Sequence, residues 1–199
     1  MGPGIIIPLV IVAIVVPVAF TWAKKTFKDG GLADDPDAVA PAVRLTSDAL
    51  RDLPTPEWRV VYEIGADKLG GVEHVVIGPP GVFAVQTTMD PPPTRAETDA
   101  QSHGRPDAQA VARVAILRGD LDDALRRCAM SSDQLVRVHW GAPVDESPPS
   151  TELFPGLTAV DGRRLAEWVD GLSPRLSSSQ VDLAWQSVTT AIGRPDPLA

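Results

Sequence analysis

The first hydrophobic run along the chain is unbroken. Ile5 to Trp22 (IIIPLVIVAIVVPVAFTW) holds eighteen residues and no charge. As a helix it reaches about 27 Å, close to the roughly 30 Å hydrocarbon core of a bilayer. The run predicts a single membrane-spanning helix, with Pro8 in its first turn and a kink at Pro17. Trp22 suits the headgroup level, and Lys24, Lys25 and Lys28 follow at once. Basic flanks stay cytoplasmic, so the short N-terminus is expected outside the cell membrane and the rest of the chain inside. A cleaved signal peptide fits less well. Met1 to Gly4 carries no charged side chain, and Phe20-Thr21-Trp22-Ala23 is a poor cleavage site.

After this run the pattern becomes that of a folded domain. Asp29 to Pro41 (DGGLADDPDAVAP) reads as a flexible tether, and Asp34-Asp35-Pro36-Asp37 as solvated tether rather than a calcium loop. Leu45 to Leu53 predicts a short helix capped by Thr46 or Ser47. Trp58 to Ile64, Val72 to Ile77 and Val82 to Thr88 are β-branched, aromatic-containing segments that predict strands. Gly78-Pro79-Pro80-Gly81 should join the last two as a tight hairpin. From Asp107 to Met130, Val111, Val114, Leu117, Leu121, Leu125 and Cys128 form one helical stripe, which Gly119 is expected to divide. Leu135 to Trp140 and Leu157 to Val160 predict strands around a Pro-rich loop, Ala142 to Gly156. Asp161 to Leu172 predicts a helix burying Leu165, Trp168 and Val169. The last helix should start at a serine cap, Ser177 to Ser179, and bury Val181, Trp185, Val188 and Ile192.

The order predicts an α/β (α+β) fold, a small mixed sheet with a central β-hairpin flanked by helices. The organisation expected is an anchor with its basic flank (1–28), a linker (29–43) and a domain (44–199).

Charge narrows the function classes. The chain has 18 basic and 26 acidic residues and a net charge of -8. All the acids follow Lys28, against 15 bases there, so the remainder stands at -11. This balance argues against nucleic acid as a partner, because phosphate backbones are held by Lys and Arg. The one cysteine, Cys128, can form no internal disulfide and reads as a small helix-face hydrophobe. His74, His103 and His139 lack metal-ligand spacing. Gly78-Pro79-Pro80-Gly81 lacks the Lys and Ser/Thr of a phosphate loop, and no G-x-S-x-G surrounds Ser177 to Ser179.

One stretch carries a resemblance. Gly71 to Thr88 (GVEHVVIGPPGVFAVQTT) is similar to the signature of the nuclease-related domain, the NERD family, of restriction-endonuclease-like fold. Glu73-His74, Val75-Val76-Ile77, Gly78-Pro79-Pro80-Gly81 and Val82-Phe83-Ala84-Val85 match in order and spacing. The resemblance implies a divalent metal such as Mg²⁺, held by acids on the hairpin, whose bound water attacks phosphorus. It also implies a lysine two residues after the second acid to stabilise the transition state. Here Glu73 stands where an Asp is usual, Gln86 at the Glu position and Thr88 at the Lys position. The helix before the hairpin offers only Asp48 ahead of Asp52, where some members have a Glu.

The resemblance with these departures implies a retained scaffold and lost chemistry. Glu73, Gln86 and Thr88 are then vestigial site positions, with no cofactor and Glu73 the one metal ligand to consider. The expected role is binding or accessory, within a membrane assembly that includes another membrane protein. Two alternatives are a weak metal-dependent nuclease using Glu73 with Glu63 or Asp67, and a purely structural accessory subunit.

Overall fold

A computed structural model describes residues 36–54, 56–62, 64, 72–94, 108–142 and 149–193, and no side chains at 36–40 or 108–110. All of them belong to one compact unit, Asp35–Ala199. The expected anchor Ile5–Trp22 with Lys24, Lys25 and Lys28 lies outside the described residues, as do Glu63, Asp67 and His103. Among the described residues no helix is long and apolar enough to cross a membrane.

The fold is mixed α/β. Helix α1 spans Pro36–Arg51. Strands β1 (Arg59–Val61), β2 (His74–Gly78) and β3 (Gly81–Thr88) follow. Helix α2 (Ala108–Leu125) runs into a 3-10 turn, Arg126–Cys128. Strands β4 (Gln134–His139), β5 (Ser150–Phe154) and β6 (Leu157–Asp161) come next. A 3-10 turn, Gly162–Arg164, leads to α3 (Leu165–Asp170), and α4 spans Ser178–Ala191.

The six strands form one sheet in the order β1-β2-β3-β4-β6-β5. The hairpin pairs are antiparallel, β3-β4 and β4-β6 are parallel, and β5 returns antiparallel at the edge. Strand alternation splits the core in two. Val75, Ile77, Val82, Ala84, Leu135 and Leu157 pack with Leu121 and Leu125 of α2 and Val181 and Val188 of α4. Val76, Phe83, Val85, Val136, Val138 and Val160 pack with Leu50 of α1 and Leu165, Trp168 and Val169 of α3. The hairpin, the inward residues of α3 and the serine cap follow the sequence pattern. Ser177 and Gln180 form a reciprocal capping box at α4.

Several local expectations are corrected. Helix α1 begins at Pro36 rather than Leu45, so part of the expected tether is helical. Thr46 and Ser47 are not caps but lie fully buried in mid-helix. The Thr46 hydroxyl accepts from Trp140 Nε1 (2.7 Å) and pairs with the Thr87 hydroxyl (3.2 Å). Gly119 does not divide α2. A strand, β5, lies inside the Pro-rich loop. Strand β1 covers only three residues of the expected seven, though Ile64 N still donates to Glu73 O (2.8 Å). On the helical stripe Val111 is exposed, and Trp185 of α4 is only half buried.

Candidate functional site

The hairpin turn is built from packing. Gly78 pairs with Gly81 across Pro79-Pro80. A Cβ at Gly78 would overlap the Trp58 ring, and one at Gly81 (φ +154) would overlap the Asp133 carboxylate. That carboxylate accepts from Val82 N (2.7 Å) and pairs with the Arg175 guanidinium. Arg175 and Leu176 both donate their backbone N–H to Pro79 O (2.7 Å), and Arg175 Nε donates to Pro80 O (3.1 Å). The four-residue motif is thus a clamped structural turn. An open depression of about 460 Å³ lies beside it, floored by Val82, Met130 and Leu176.

Glu73, Gln86 and Thr88 lie toward the opposite end of the strands. By alternation, Gln86 and Thr88 share the face of Val82 and Ala84, under α2 and α4. Glu73 precedes β2 by one residue. Its N–H donates to Val85 O (3.0 Å), the residue already paired with His74, so a bulge sets Glu73 and His74 together opposite Val85. The structure therefore brings Gln86 and Thr88 onto one surface and leaves Glu73 out of their row, in keeping with Val72 lying in the core layer of Val75.

Each position has a structural occupation. Thr88 is buried, and its hydroxyl donates to Asp90 Oδ2 (2.9 Å) and accepts from Asp90 N (3.1 Å). It closes the end of β3. Gln86 is half buried and lies in register with Arg137 on parallel β4. Thr88 is in register with His139, which is in register with Asp161 of β6. His139 Nδ1 donates to Pro91 O (3.1 Å). Burial lowers the pKa of His139 and the Arg137 charge adds to this, against the backbone carbonyls of Asp90 and Pro91 and the Asp90 charge. Asp161 caps the following turn, accepting from Arg163 N (3.0 Å).

On the far layer, His74 is fully buried between β2 and α1. Its ring packs edge-on to Tyr62, with centroids 6.2 Å apart, and bonds to the backbone of Val43. Burial holds its pKa down to about 4, the Val43 bond opposing. Asp48 is exposed on α1 and pairs with Arg51, and Asp52 is also exposed. The Cys128 thiol is half buried and donates to Leu125 O (3.0 Å).

Sequence reasoning missed Arg137. The alternation in Leu135 to Trp140 puts Arg137 and His139 on one face with Leu135, which is legible. Their pairing with Gln86 and Thr88 depends on the parallel register, which no local signal reports. The donor set does not suit a hard divalent cation. An amide replaces one carboxylate, the Thr88 hydroxyl is engaged by Asp90, and a guanidinium stands in register with the amide. Among the described residues no three His, Cys, Asp or Glu side chains converge as metal ligands. Comparison of the chain with protein-family models, with curated proteins and with solved structures finds no match.

Proposed function

We propose that the chain is a single-pass membrane protein whose domain keeps a restriction-endonuclease-like scaffold, similar to the nuclease-related domain, without its chemistry. Its role is binding or accessory within a membrane-associated assembly, with another membrane protein as partner. One observation carries this reading. Of the three positions that the resemblance singles out, two are an amide in register with Arg137 and a buried hydroxyl tied to Asp90. Metal-assisted phosphodiester cleavage needs an anion and a cation there. The -11 balance after Lys28 supports a protein partner over nucleic acid. The uncharged run Ile5–Trp22, with Lys24, Lys25 and Lys28 behind it, supports a bilayer anchor and a cytoplasmic domain.

The test compares the purified full chain with Glu73→Ala in a nuclease assay with Mg²⁺ or Mn²⁺. Equal, background-level rates are expected, and no heat of metal binding in calorimetry. Metal-dependent cleavage that disappears in Glu73→Ala would overturn the reading in favour of a variant nuclease. Gentle detergent extraction followed by mass spectrometry should recover a co-purifying membrane protein. A chain that purifies alone counts against the accessory role.

A further inference from the structure

The depression beside the hairpin turn joins an apolar floor to a pair of opposite charges. Val82, Met130 and Leu176 form the floor, and Ser131, Asp133 and Arg175 add polar groups to the lining. Its volume of about 460 Å³ falls within the range of small-molecule sites, roughly 300–1,000 Å³. Both charges are fixed by the fold. Arg175 donates its backbone N–H to Pro79 O (2.7 Å) and Nε to Pro80 O (3.1 Å). Asp133 donates its backbone N–H to Val82 O (2.7 Å), and its carboxylate accepts from Val82 N (2.7 Å). The two side chains pair with each other. Among the described residues these bonds leave donors on the guanidinium and lone pairs on the carboxylate unused. The Arg175 side chain is 61% exposed and that of Asp133 25%, so both are reached from solvent. The backbone beside them is strained. Ala129, which ends the 3-10 turn and lines the depression, holds a left-handed φ of +56. A residue with a Cβ holds that conformation at a cost, and such strain clusters at ligand sites.

The Asp133–Arg175 pair is neutral as a whole. An anion at Arg175 also meets the Asp133 carboxylate, and a cation at Asp133 also meets Arg175. A ligand that carries both signs on neighbouring atoms meets each charge in the favourable sense. One that also carries an apolar group covers the floor. We propose that the depression binds a free α-amino acid with an apolar side chain. Its carboxylate docks on Arg175, its ammonium on Asp133, and its side chain on Val82, Met130 and Leu176. The site lies at the hairpin end of the sheet, away from Glu73, Gln86 and Thr88. It is independent of the reading that nuclease chemistry is lost.

The test is a titration of the purified full chain in lipid nanodiscs, followed by ligand-detected NMR. L-leucine should bind with a Kd on the order of 1 mM. Isocaproate is leucine without its ammonium, and isoamylamine is leucine without its carboxylate. Each loses a charged hydrogen bond and should bind at least roughly 10-fold more weakly. Arg175→Gln should weaken leucine by a similar factor. Ser131→Trp, at an exposed position in the lining, should block the depression and abolish binding. No leucine signal at about 10 mM overturns the proposal. So does isocaproate or isoamylamine binding as tightly as leucine, because one of the two charges is then idle. Unchanged leucine binding by Ser131→Trp places the ligand elsewhere and also overturns it. Should Arg175→Gln fail to fold, Ser131→Trp and the two leucine analogues decide.

Discussion

At the hairpin end of the sheet, Gly78 and Gly81 lie where any side chain would strike Trp58 or Asp133. At the opposite end, Gln86 and Thr88 sit among polar neighbours: Arg137, His139 and Asp90. The first end owes its residues to backbone geometry and close packing. The second owes them to which polar group faces which across the strands. Gly78 and Gly81 are residues the fold needs for itself. A motif match that rests on Gly-Pro-Pro-Gly therefore reports architecture and carries little weight on activity.

The comparison breaks first at Gly81. Replacement by Ala strains an extended positive φ and drives a methyl into the Asp133 carboxylate that holds Val82 and Arg175. Overpacking and backbone strain together should cost about 4 kcal/mol, a fall in Tm of roughly 8–16 °C. A Gly81→Ala variant that melts within 2 °C of the parent (roughly 1 kcal/mol or less) would show that the turn is not clamped.

The polar contacts between α1 and the sheet are tested by pH. His74 is held near pKa 4, below its unfolded value of about 6.5. The neutral form is the one that folds, so this stability is complete above about pH 6.5. As pH falls, the unfolded chain takes up the proton first. Stability drops through the window from 6.5 to 4, by about 3 kcal/mol in all, and His139 shifts in the same direction. Denaturant melts at several pH values should show a shallower decline for His74→Gln than for the parent. Parallel curves would mean that His74 is not buried against α1.

These contacts also mark where the sequence stopped being legible. The hairpin was readable because two glycines and two prolines interrupt a run of apolar residues, a local signal. Helix α1 was misjudged because its inner stripe, Ala42, Thr46 and Leu50, contains a hydroxyl. Thr46 and Ser47 therefore looked like caps. Only the distant Trp140 indole and Thr87, which bind that hydroxyl, reveal its place. Strand β5 went unseen because its neighbours are prolines and, of its five residues, only Thr151 is buried. For the site, alternation within β3 placed Gln86 and Thr88 together. Arg137 needed the register across the α2 crossover, a tertiary fact.

The hairpin clamp and the strand end can be compared through one residue each. Asp133→Ala leaves Val82 N without its acceptor and should cost about 2 kcal/mol. Little of this comes from the ion pair, because the Arg175 side chain is 61% exposed. Asp133→Asn, which keeps an acceptor, should cost about half as much. At the other end, Thr88→Val removes both bonds to Asp90 in a buried but locally adjustable turn, for about 1 kcal/mol. Chemical denaturation of the three variants orders the two ends. A Thr88→Val loss larger than that of Asp133→Ala would reverse the comparison.

The smallest effect has the opposite sign and sits between the two ends. Helix α2 follows β3 and returns the chain to the start of β4, with Gly119 in its interior. Nothing lies within 4 Å of a Cβ built there, and α2 continues through it without a break. A glycine in such a place contributes only freedom to the unfolded chain. Gly119→Ala should therefore stabilise by roughly 0.5–1 kcal/mol, raising Tm by about 1–4 °C. Gly78 and Gly81 cannot be replaced because the space is already taken, whereas Gly119 can be replaced because it is empty. A Gly119→Ala variant that melts below the parent would show that α2 uses this glycine for a close contact, and the contrast between the glycines would fail.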